Sequence, residues 1–252
     1  SGEPTQTQDW GVVRVGAPID DKLKYNNVST DFTATAWVID SGVDLDHPDL
    51  NVDASRGFSV FGGKPNDQNG HGTHVAGTIA AIDNTIGSIG VAPGATIVPV
   101  RVLDRRGSGS ISGVIAGVDF VAEEGNAGSG DCVNMSLGGG ASDILDAAVN
   151  VAAESGAYFA LAAGNNGADA SNYSPARVGG IYDKDNIFTI AAIDINDKMT
   201  EWSNYGDVVE YAAPHACAVL MLTGAGSDNT EAEKYYDEDT GTYPIIHTGK
   251  GL

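Results

Sequence analysis

The sequence predicts an α/β fold, in which a mostly parallel sheet carries helices on both faces. Short apolar runs alternate along the chain with stretches of helical periodicity, which is typical of strand–helix–strand units. The apolar runs are continuous instead of alternating with polar residues, as expected for strands buried on both faces. The 252 residues, 42% of them hydrophobic, suffice for one large core, so we expect a single domain over residues 1–252.

The predicted elements follow this alternation. The strands are expected at 35–40, 95–103, 133–137, 158–163 and 187–192, and the helices at 71–82, 111–122 and 144–155. Helical spacing places Val75, Thr78, Ile79 and Ile82 on one face of the first helix, and Gly156 is expected to end the third. Ligands of such sheets bind at the carboxyl ends of the strands, so polar residues that follow a strand are candidate site residues.

The charge of the chain argues against two classes of partner. There are 34 acidic and 13 basic residues, a net charge of −21, and such a surface repels nucleic acid and anionic membranes. No apolar run approaches the ~18 residues that span a bilayer. We therefore expect no nucleic acid and no membrane among the partners. The same charge suits a secreted protein, or one from a salty or cold habitat.

The two cysteines, Cys132 and Cys217, both have apolar neighbours. They are either free buried thiols or one disulfide, and the sequence leaves these alternatives open. Two distant cysteines alone do not make a metal site.

Three polar strings follow or precede predicted elements. Asp40 ends the first strand and is followed by Ser-Gly; His71 lies between two glycines in Asn-Gly-His-Gly-Thr-His-Val-Ala-Gly and opens a helix. Asn165 follows the strand 158–163 and a glycine, and its side-chain amide can donate to a developing oxyanion. We expect the glycines beside His71 to let backbone and substrate come close to its ring.

In this order, the three strings resemble the motifs of the subtilase family of serine proteases, including secreted bacterial subtilisins and proteinase K-like enzymes. The resemblance covers nearly the whole chain and implies a subtilisin-like three-layer fold and a secreted serine endopeptidase, a hydrolase. It implies that Asp40 orients His71, that His71 is the general base and that Asn165 stabilises the oxyanion. The order Asp, His, Ser along the chain is that of the subtilisins.

Further strings resemble substrate-binding segments of that family. Ser136, Leu137 and Gly138 resemble the segment that pairs with the substrate and forms a wall of the primary specificity pocket. Gly107, Ser108 and Gly109 are expected to form an extended edge on which the substrate adds as a strand, with Ile111 lining a distal apolar subsite. The resemblance implies polypeptide substrates and a propeptide that is cleaved off during maturation, and we expect a monomer.

A structural Ca²⁺ site is the second expectation. The loop 82–88 interrupts a helix and is rich in oxygen atoms, and Ca²⁺ takes six to eight oxygen ligands. The resemblance assigns the ligands to the side chains of Gln6, Asp49 and Asn84 and to the carbonyl groups of Ile82, Ile86 and Ser88. The alternative is a loop held by hydrogen bonds alone.

The serine nucleophile cannot be identified in this sequence. In the family, Ala-Ala-Pro-Gly opens a stretch that ends in Gly-Thr-Ser-Met-Ala, whereas here Tyr211-Ala-Ala-Pro214 runs directly into His215. Alignment on Pro-His puts Glu210 at the place of the nucleophile. The other serines do not fit the role of nucleophile. Ser41, Ser136 and Ser203 belong to other family motifs, and Ser227 lies beyond the predicted helix that follows Pro-His.

Three interpretations of this gap remain. The nucleophile segment is missing from this sequence of an active enzyme, or the deletion is real, or the chain is an inactive scaffold that binds extended peptides without cleaving them. The intact Asp40, His71 and Asn165 favour the enzyme, because a binding module needs none of them.

Overall fold

The computed structural model describes residues 6, 9–14, 34–123, 125–182 and 184–214. Within this part of the chain, an eight-stranded sheet forms the centre of the molecule, and its strand pairs are parallel. Helices pack on both of its faces, so the predicted α/β fold is confirmed.

The strands are β1 (Thr35–Asp40), β2 (Asn51–Val52), β3 (Phe58–Ser59), β4 (Thr96–Arg101), β5 (Cys132–Met135), β6 (Gly139–Gly140), β7 (Tyr158–Ala162), β8 (Tyr173–Ser174), β9 (Ile187–Ile193) and β10 (Tyr211–Pro214). The helices are α1 (Trp10–Arg14), α2 (His71–Ala80), α3 (Ile111–Ala122), α4 (Asp143–Ala152) and α5 (Val178–Ile181). The five predicted strands correspond to β1, β4, β5, β7 and β9, and the three predicted helices to α2, α3 and α4.

The strand order β10-β9-β7-β5-β1-β4-β2 places β1 at a reversal of the chain path, with β3 also paired to β4. From β1 the chain first builds β4 on one side and then returns to build β5 on the other side. Such a switch point leaves a crevice at the carboxyl end of the strands, where ligands of open α/β sheets bind. Asp40, the last residue of β1, therefore lies at the predicted position for a site.

The two faces of β1 are both buried. Trp37 and Ile39 join the core beneath α3 and α4, while Val38 joins the core beneath α2. All six residues of β1 are buried, which explains why its sequence is a continuous apolar run.

Helix α2 approaches the sheet through small residues, and the predicted apolar face lies at the margin of this contact. Its fully buried residues are Gly72, Thr73, Ala76, Gly77 and Ala80. Val75 and Ile79, which helical spacing had placed at the centre of the apolar face, are only half-buried at the margin of the core. The bulky side chains are displaced because a helix so close to the backbone of β1 leaves room only for small ones.

The ends of the other helices follow from local sequence. The side chains of Ser110 and Ser142 accept the N–H groups of Gly113 and Leu145, so each caps its helix. After α4, a 3₁₀ turn (Ala153–Ser155) ends at Gly156, whose φ of 88° confirms the predicted stop.

Two sequence expectations concern surfaces. Cys132 is exposed on β5, which does not fit the alternative of a buried free thiol at this position. Cys217 lies outside the described residues, so the structure does not decide whether the two cysteines form a disulfide. Among the described residues, no helix is both long and apolar enough to cross a bilayer.

Candidate active site

The predicted site residues converge at one edge of the sheet. Asp40 ends β1, Ser136 follows β5 and Asn165 follows β7, and these three strands are neighbours. The segment 107–109 follows β4 on the other side of β1. Because the strands are parallel, their carboxyl ends lie along the same edge, which brings together residues far apart in the sequence.

The central contact is between Asp40 and His71. Nδ1 of His71 lies 2.8 Å from each carboxylate oxygen of Asp40. The Asp40 side chain is 0% exposed and that of His71 is 18% exposed. An ionised carboxylate only accepts hydrogen bonds, so Nδ1 carries the proton and Nε2 keeps its lone pair. This is the tautomer that a general base requires.

The electrostatics of His71 combine opposing effects. Burial of the imidazole lowers its pKa, but the charge and hydrogen bond of Asp40 and the charge of Asp67 outweigh burial. The pKa of His71 is therefore raised above its ordinary value of 6.5. The carboxylates thus favour the imidazolium form, which a base must adopt after it takes a proton.

The glycines beside His71 have different purposes. A Cβ at Gly72 would come within 2.0 Å of the carbonyl oxygen of Gly42 and 3.2 Å of Oδ1 of Asp40. Gly72 thus allows α2 to approach the end of β1, which confirms the close approach of backbone expected here. The approach of substrate to the ring stays a prediction. Gly70 has a φ of +103° and open space around it, so its need for glycine is conformational.

Asn165 is exposed in the loop that follows β7. Asn204, which is 0% exposed, holds this loop from below. Its Oδ1 accepts the N–H groups of Asn166 and Ala168, at 2.9 and 3.2 Å, and its Nδ2 donates to the carbonyl of Ala163 at 2.9 Å. Asn165 therefore lies at the edge of the sheet, on a loop whose backbone is bound by Asn204 on both sides of it.

The substrate segments are placed differently from one another. Leu137 is buried in the core, whereas Ser136 and Gly138 on either side are half-buried. Ile111 begins α3 and is 41% exposed, as an apolar subsite requires.

The segment 107–109 is not extended throughout. Gly107 has a φ of +71° and donates its N–H to the carbonyl of Asp104 at 2.9 Å. The N–H of Asp104 in turn donates to the carbonyl of Ser108 at 2.8 Å. The expectation of an extended edge is therefore wrong at Gly107, because a closed turn precedes Ser108 and Gly109.

The described candidates for a replacement nucleophile are all engaged elsewhere. Oε2 of Glu210 accepts the N–H of Thr189, a residue of β9. Ser41 donates to Asp67, and the hydroxyl of Ser203, 2% exposed, accepts the N–H of Ala192. Nδ2 of Asn134 donates to Ser136 at 2.9 Å.

His215 and Ser227 lie outside the described residues, so the junction after Pro214 is not seen.

The six residues expected to hold Ca²⁺ lie together around the loop 82–88. Nε2 of Gln6 donates to the carbonyls of Ile82 and Ser88, at 2.7 and 3.1 Å, and Oε1 of Gln6 accepts the N–H of Asn84. Nδ2 of Asn84 donates to Oδ1 of Asp49 at 2.5 Å. The N–H of Ile86 donates to Oδ1 of Asn84 at 2.7 Å.

Oδ2 of Asp49 is buried without a hydrogen-bond partner. Burial raises the pKa of Asp49 to about 6, although hydrogen bonds from Asn84 and Ile82 lower it. An orphaned carboxylate oxygen beside amide and carbonyl oxygens fits a hard cation. In the described part of the chain, no group of three or more His, Cys, Asp or Glu side chains could hold a metal ion, so a bound ion would depend on amide and carbonyl oxygens.

Two residues of the site had not been expected. Asp67 lies three residues before Gly70, and an Asp near a helix start is a recognisable capping signal. Asn204 carries no comparable local signal, because its partners are 36 to 41 residues away in the chain.

Known proteins with similar sequences identify the family to which this chain belongs. The Subtilase family model matches residues 36–245. Alkaline serine exoprotease A of Vibrio alginolyticus is 44% identical over 225 residues, which are 85% of this chain and 38% of that protein. The extracellular serine proteinase of Thermus sp. (strain Rt41A) is 41% identical over 227 residues, 88% of this chain and 52% of that protein. The chain thus spans about half the length of its curated relatives.

A solved structure is similar as well. The crystal structure of a cold adapted subtilisin-like serine proteinase superposes with a TM-score of 0.68 at 41% identity, covering 81% of this chain and 71% of that one. The fold and the family model agree, and the chain belongs to the subtilase family of subtilisin-like serine proteases.

Proposed function

We propose that the protein is a secreted serine endopeptidase that cleaves polypeptides. The observation that carries the proposal is the Asp40–His71 pair, with Nδ1 of the imidazole 2.8 Å from both oxygens of a fully buried carboxylate. A buried Asp beside a partly exposed His at a strand edge suits proton transfer. The names of the Vibrio and Thermus relatives, a serine exoprotease and an extracellular serine proteinase, support protease activity and secretion.

In this mechanism His71 transfers one proton in two steps. Its Nε2 takes the proton of a serine hydroxyl as that oxygen attacks the scissile carbonyl, and later gives the proton to the leaving amine. Asp40 holds the ring and stabilises the imidazolium formed in between. The side-chain amide of Asn165 donates to the oxyanion of the tetrahedral intermediate. The serine belongs to the segment that the family has between the positions of Pro214 and His215.

The substrate binds as an extended peptide along the sheet edge. Ser136 and Gly138 offer half-buried backbone beside the catalytic residues, and exposed Ile111 suits an apolar side chain of the substrate. The mature protein acts as a monomer after removal of a propeptide, as the resemblance to the family implies.

A Ca²⁺ ion stabilises the loop 82–88 in this proposal. Asp49, Gln6 and Asn84 supply side-chain oxygens and Ile82, Ile86 and Ser88 supply carbonyls. The orphaned, buried Oδ2 of Asp49 supports the proposal, because a bound cation would give this oxygen the partner that the described residues do not supply. The ion has a structural role and no step of the reaction passes through it.

The proposed activity is tested by the intact mass of the denatured protein before and after treatment with a serine-directed phosphonate. The sequence corresponds to 25.8 kDa. A heavier protein with a single adduct, which maps to a peptide absent from this sequence, is expected. His71→Ala is the control, because without its general base the serine should not react.

The alternative is an inactive scaffold that binds extended peptides, and the direct Pro214–His215 junction favours it. A mass of 25.8 kDa without adduct, together with peptide binding without turnover, would establish this alternative and contradict the enzyme.

A further inference from the structure

Asp67 lies in the loop between β3 and α2, four residues before His71. Its carboxylate accepts five hydrogen bonds. Oδ1 accepts from the hydroxyl of Ser41 at 2.9 Å and from the N–H groups of Asn69 and Gly70 at 2.9 and 3.0 Å. Oδ2 accepts from the N–H and the hydroxyl of Thr73, at 3.0 and 2.5 Å. So many donors on one half-buried carboxylate exceed what an ordinary surface turn needs.

The first turn of α2 depends on this group. Helix starts leave N–H groups without partners in the helix, and the residue before α2, Gly70, has no side chain to cap them. Side chains outside the helix accept them instead: Asn69 accepts from His71, Ser41 from Gly72 and Asp67 from Thr73. The residue that carries the imidazole is thus fixed by its surroundings.

The same bonds join α2 to the end of β1. The N–H of Ser41 donates to Oδ1 of Asp40 at 2.6 Å, and the hydroxyl of Ser41 donates to Asp67. Thr73, bound to Asp67, accepts the N–H of Asp44 at 3.0 Å. A continuous chain of hydrogen bonds therefore runs from Asp40 through Ser41 and Asp67 to the helix that bears His71.

We propose that Asp67 is a positioning residue for His71, because its carboxylate fixes the start of α2 against the end of β1 and so sets the imidazole on Asp40. The proposal rests on the proposed function in one respect, that His71 is the general base. Asp67 touches neither substrate nor reacting atoms, and it acts through Ser41, Thr73 and the backbone of α2.

The charge of Asp67 has a second consequence. Asp40 from β1 and Asp67 from the loop are the carboxylates that raise the pKa of His71 against the effect of burial. Both favour the imidazolium that forms during the reaction. If Asp67 only capped the helix, removal of its charge would change the stability of the protein and would leave the pKa of His71 unchanged.

The test compares Asp67→Asn with Asp131→Asn. Asp131 is a matched control, because it also accepts several donors, from Thr35, Trp37 and Gly128, but lies at the opposite end of β1. The titration of His71 is followed by NMR in the full chain, together with the signal of its Nδ1–H. In Asp67→Asn the titration midpoint should move to lower pH and the Nδ1–H should exchange faster with water. In Asp131→Asn both should stay at the wild-type values, even if the melting temperature falls.

The steady-state kinetics of Asp67→Asn provide a second test of the proposal. Asp67→Asn should lower kcat by about tenfold, the lower end of the loss seen when a partner that orients a metal-bound histidine is removed. KM should change little, and in a His71→Ala background the same substitution should have no further effect. Wild-type titration and Nδ1–H exchange in a folded Asp67→Asn variant would reduce Asp67 to a helix cap and overturn the proposal.

The proposal can still be tested if Asp67→Asn does not fold, or if the wild-type protein shows no activity. If Asp67→Asn does not fold, Ser41→Ala takes its place: it removes the hydroxyl that donates to Asp67 and accepts the N–H of Gly72, and it leaves the bonds between Asp67 and Thr73. An unchanged Nδ1–H exchange rate in that variant overturns the proposal. If the wild-type protein cleaves nothing, the proposed function fails, while the NMR comparison needs no turnover and still decides the role of Asp67.

Discussion

Gly72 faces the backbone of Gly42 so closely that a Cβ on Gly72 would lie 2.0 Å from the carbonyl oxygen of Gly42. This contact sets the distance between α2, which carries His71, and β1, which carries Asp40. Backbone atoms on both sides leave no flexible group that could yield.

Substitution of this glycine tests the contact. Gly72→Ala should lower the free energy of unfolding by on the order of 3 kcal/mol and impair activity, because the helix must move off the strand. Thermal or urea unfolding measures the loss. Gly128→Ala is the control, since a Cβ at Gly128 meets nothing within 4 Å. Equal stability of the two variants would contradict the packing described.

The proposed oxyanion role of Asn165 predicts that its removal lowers the rate of catalysis without weakening substrate binding. Asn165→Gly should lower kcat by on the order of 10²–10³, which is the loss measured when the oxyanion donor of a subtilisin, itself a member of this family, is removed. KM should stay nearly constant, because the amide acts on the transition state. Asn166→Gly, one residue further along the same exposed loop, is the control and should retain far more activity. A rise in KM with an unchanged kcat would speak against the role.

The raised pKa of His71 predicts the pH dependence of catalysis. A base must be unprotonated, so kcat/KM should rise with pH through a midpoint above 6.5, the ordinary value for histidine. Asp40→Asn removes the larger favourable charge, so in that variant the NMR titration midpoint of His71 should fall. A wild-type midpoint below 6.5 would mean that burial outweighs the carboxylates.

The same shift links protonation of His71 to stability. Its folded-state pKa is above the unfolded value, so the stabilisation is fully present below the unfolded pKa of about 6.5. It is lost as the pH rises through the folded-state pKa. Urea unfolding at several pH values should show this loss in the wild type and not in His71→Ala.

Removal of Ca²⁺ should destabilise the protein. An ion present at 100 times its Kd stabilises the folded state by about 2.7 kcal/mol, so a chelator should lower the melting temperature. Asp49→Asn should abolish the effect of the chelator, whereas Asp53→Asn, on the exposed turn after β2, should preserve it. A melting temperature of the wild type that is independent of chelator would refute bound Ca²⁺.

The ion pair between Arg177 and Asp146 of α4 predicts that two substitutions around it differ in their effect on stability. Nε of Arg177 lies 2.6 Å from Oδ2 of Asp146, whose side chain is 2% exposed and whose Oδ1 has no hydrogen-bond partner. Arg177→Met should cost about 3 kcal/mol of stability, because it leaves a buried carboxylate unpaired. Asp143→Asn, which alters the 97% exposed partner of the same arginine, should cost far less. Similar losses in both variants would contradict this account.

The fold class, the main elements and the pairing of Asp40 with His71 could all be predicted from the sequence. Continuous apolar runs identify strands buried on both faces, and Asp40, His71 and Asn165 belong to strings whose local sequence is distinctive. The helical start at His71 and the stop at Gly156 are local matters of backbone conformation, which is why they could be predicted.

Features that arise from contacts between distant segments of the chain could be known only from the tertiary structure. The buried face of α2 consists of small residues because β1 lies so close, which helical periodicity cannot show. Gly107 lies in a turn closed by Asp104, and Asn204 supports the loop of Asn165 from 36 to 41 residues away. Asp67 joins β1 to α2 through hydrogen bonds that exist only once the two are packed. Such contacts depend on chain segments meeting in space, and no local pattern of residues encodes that meeting.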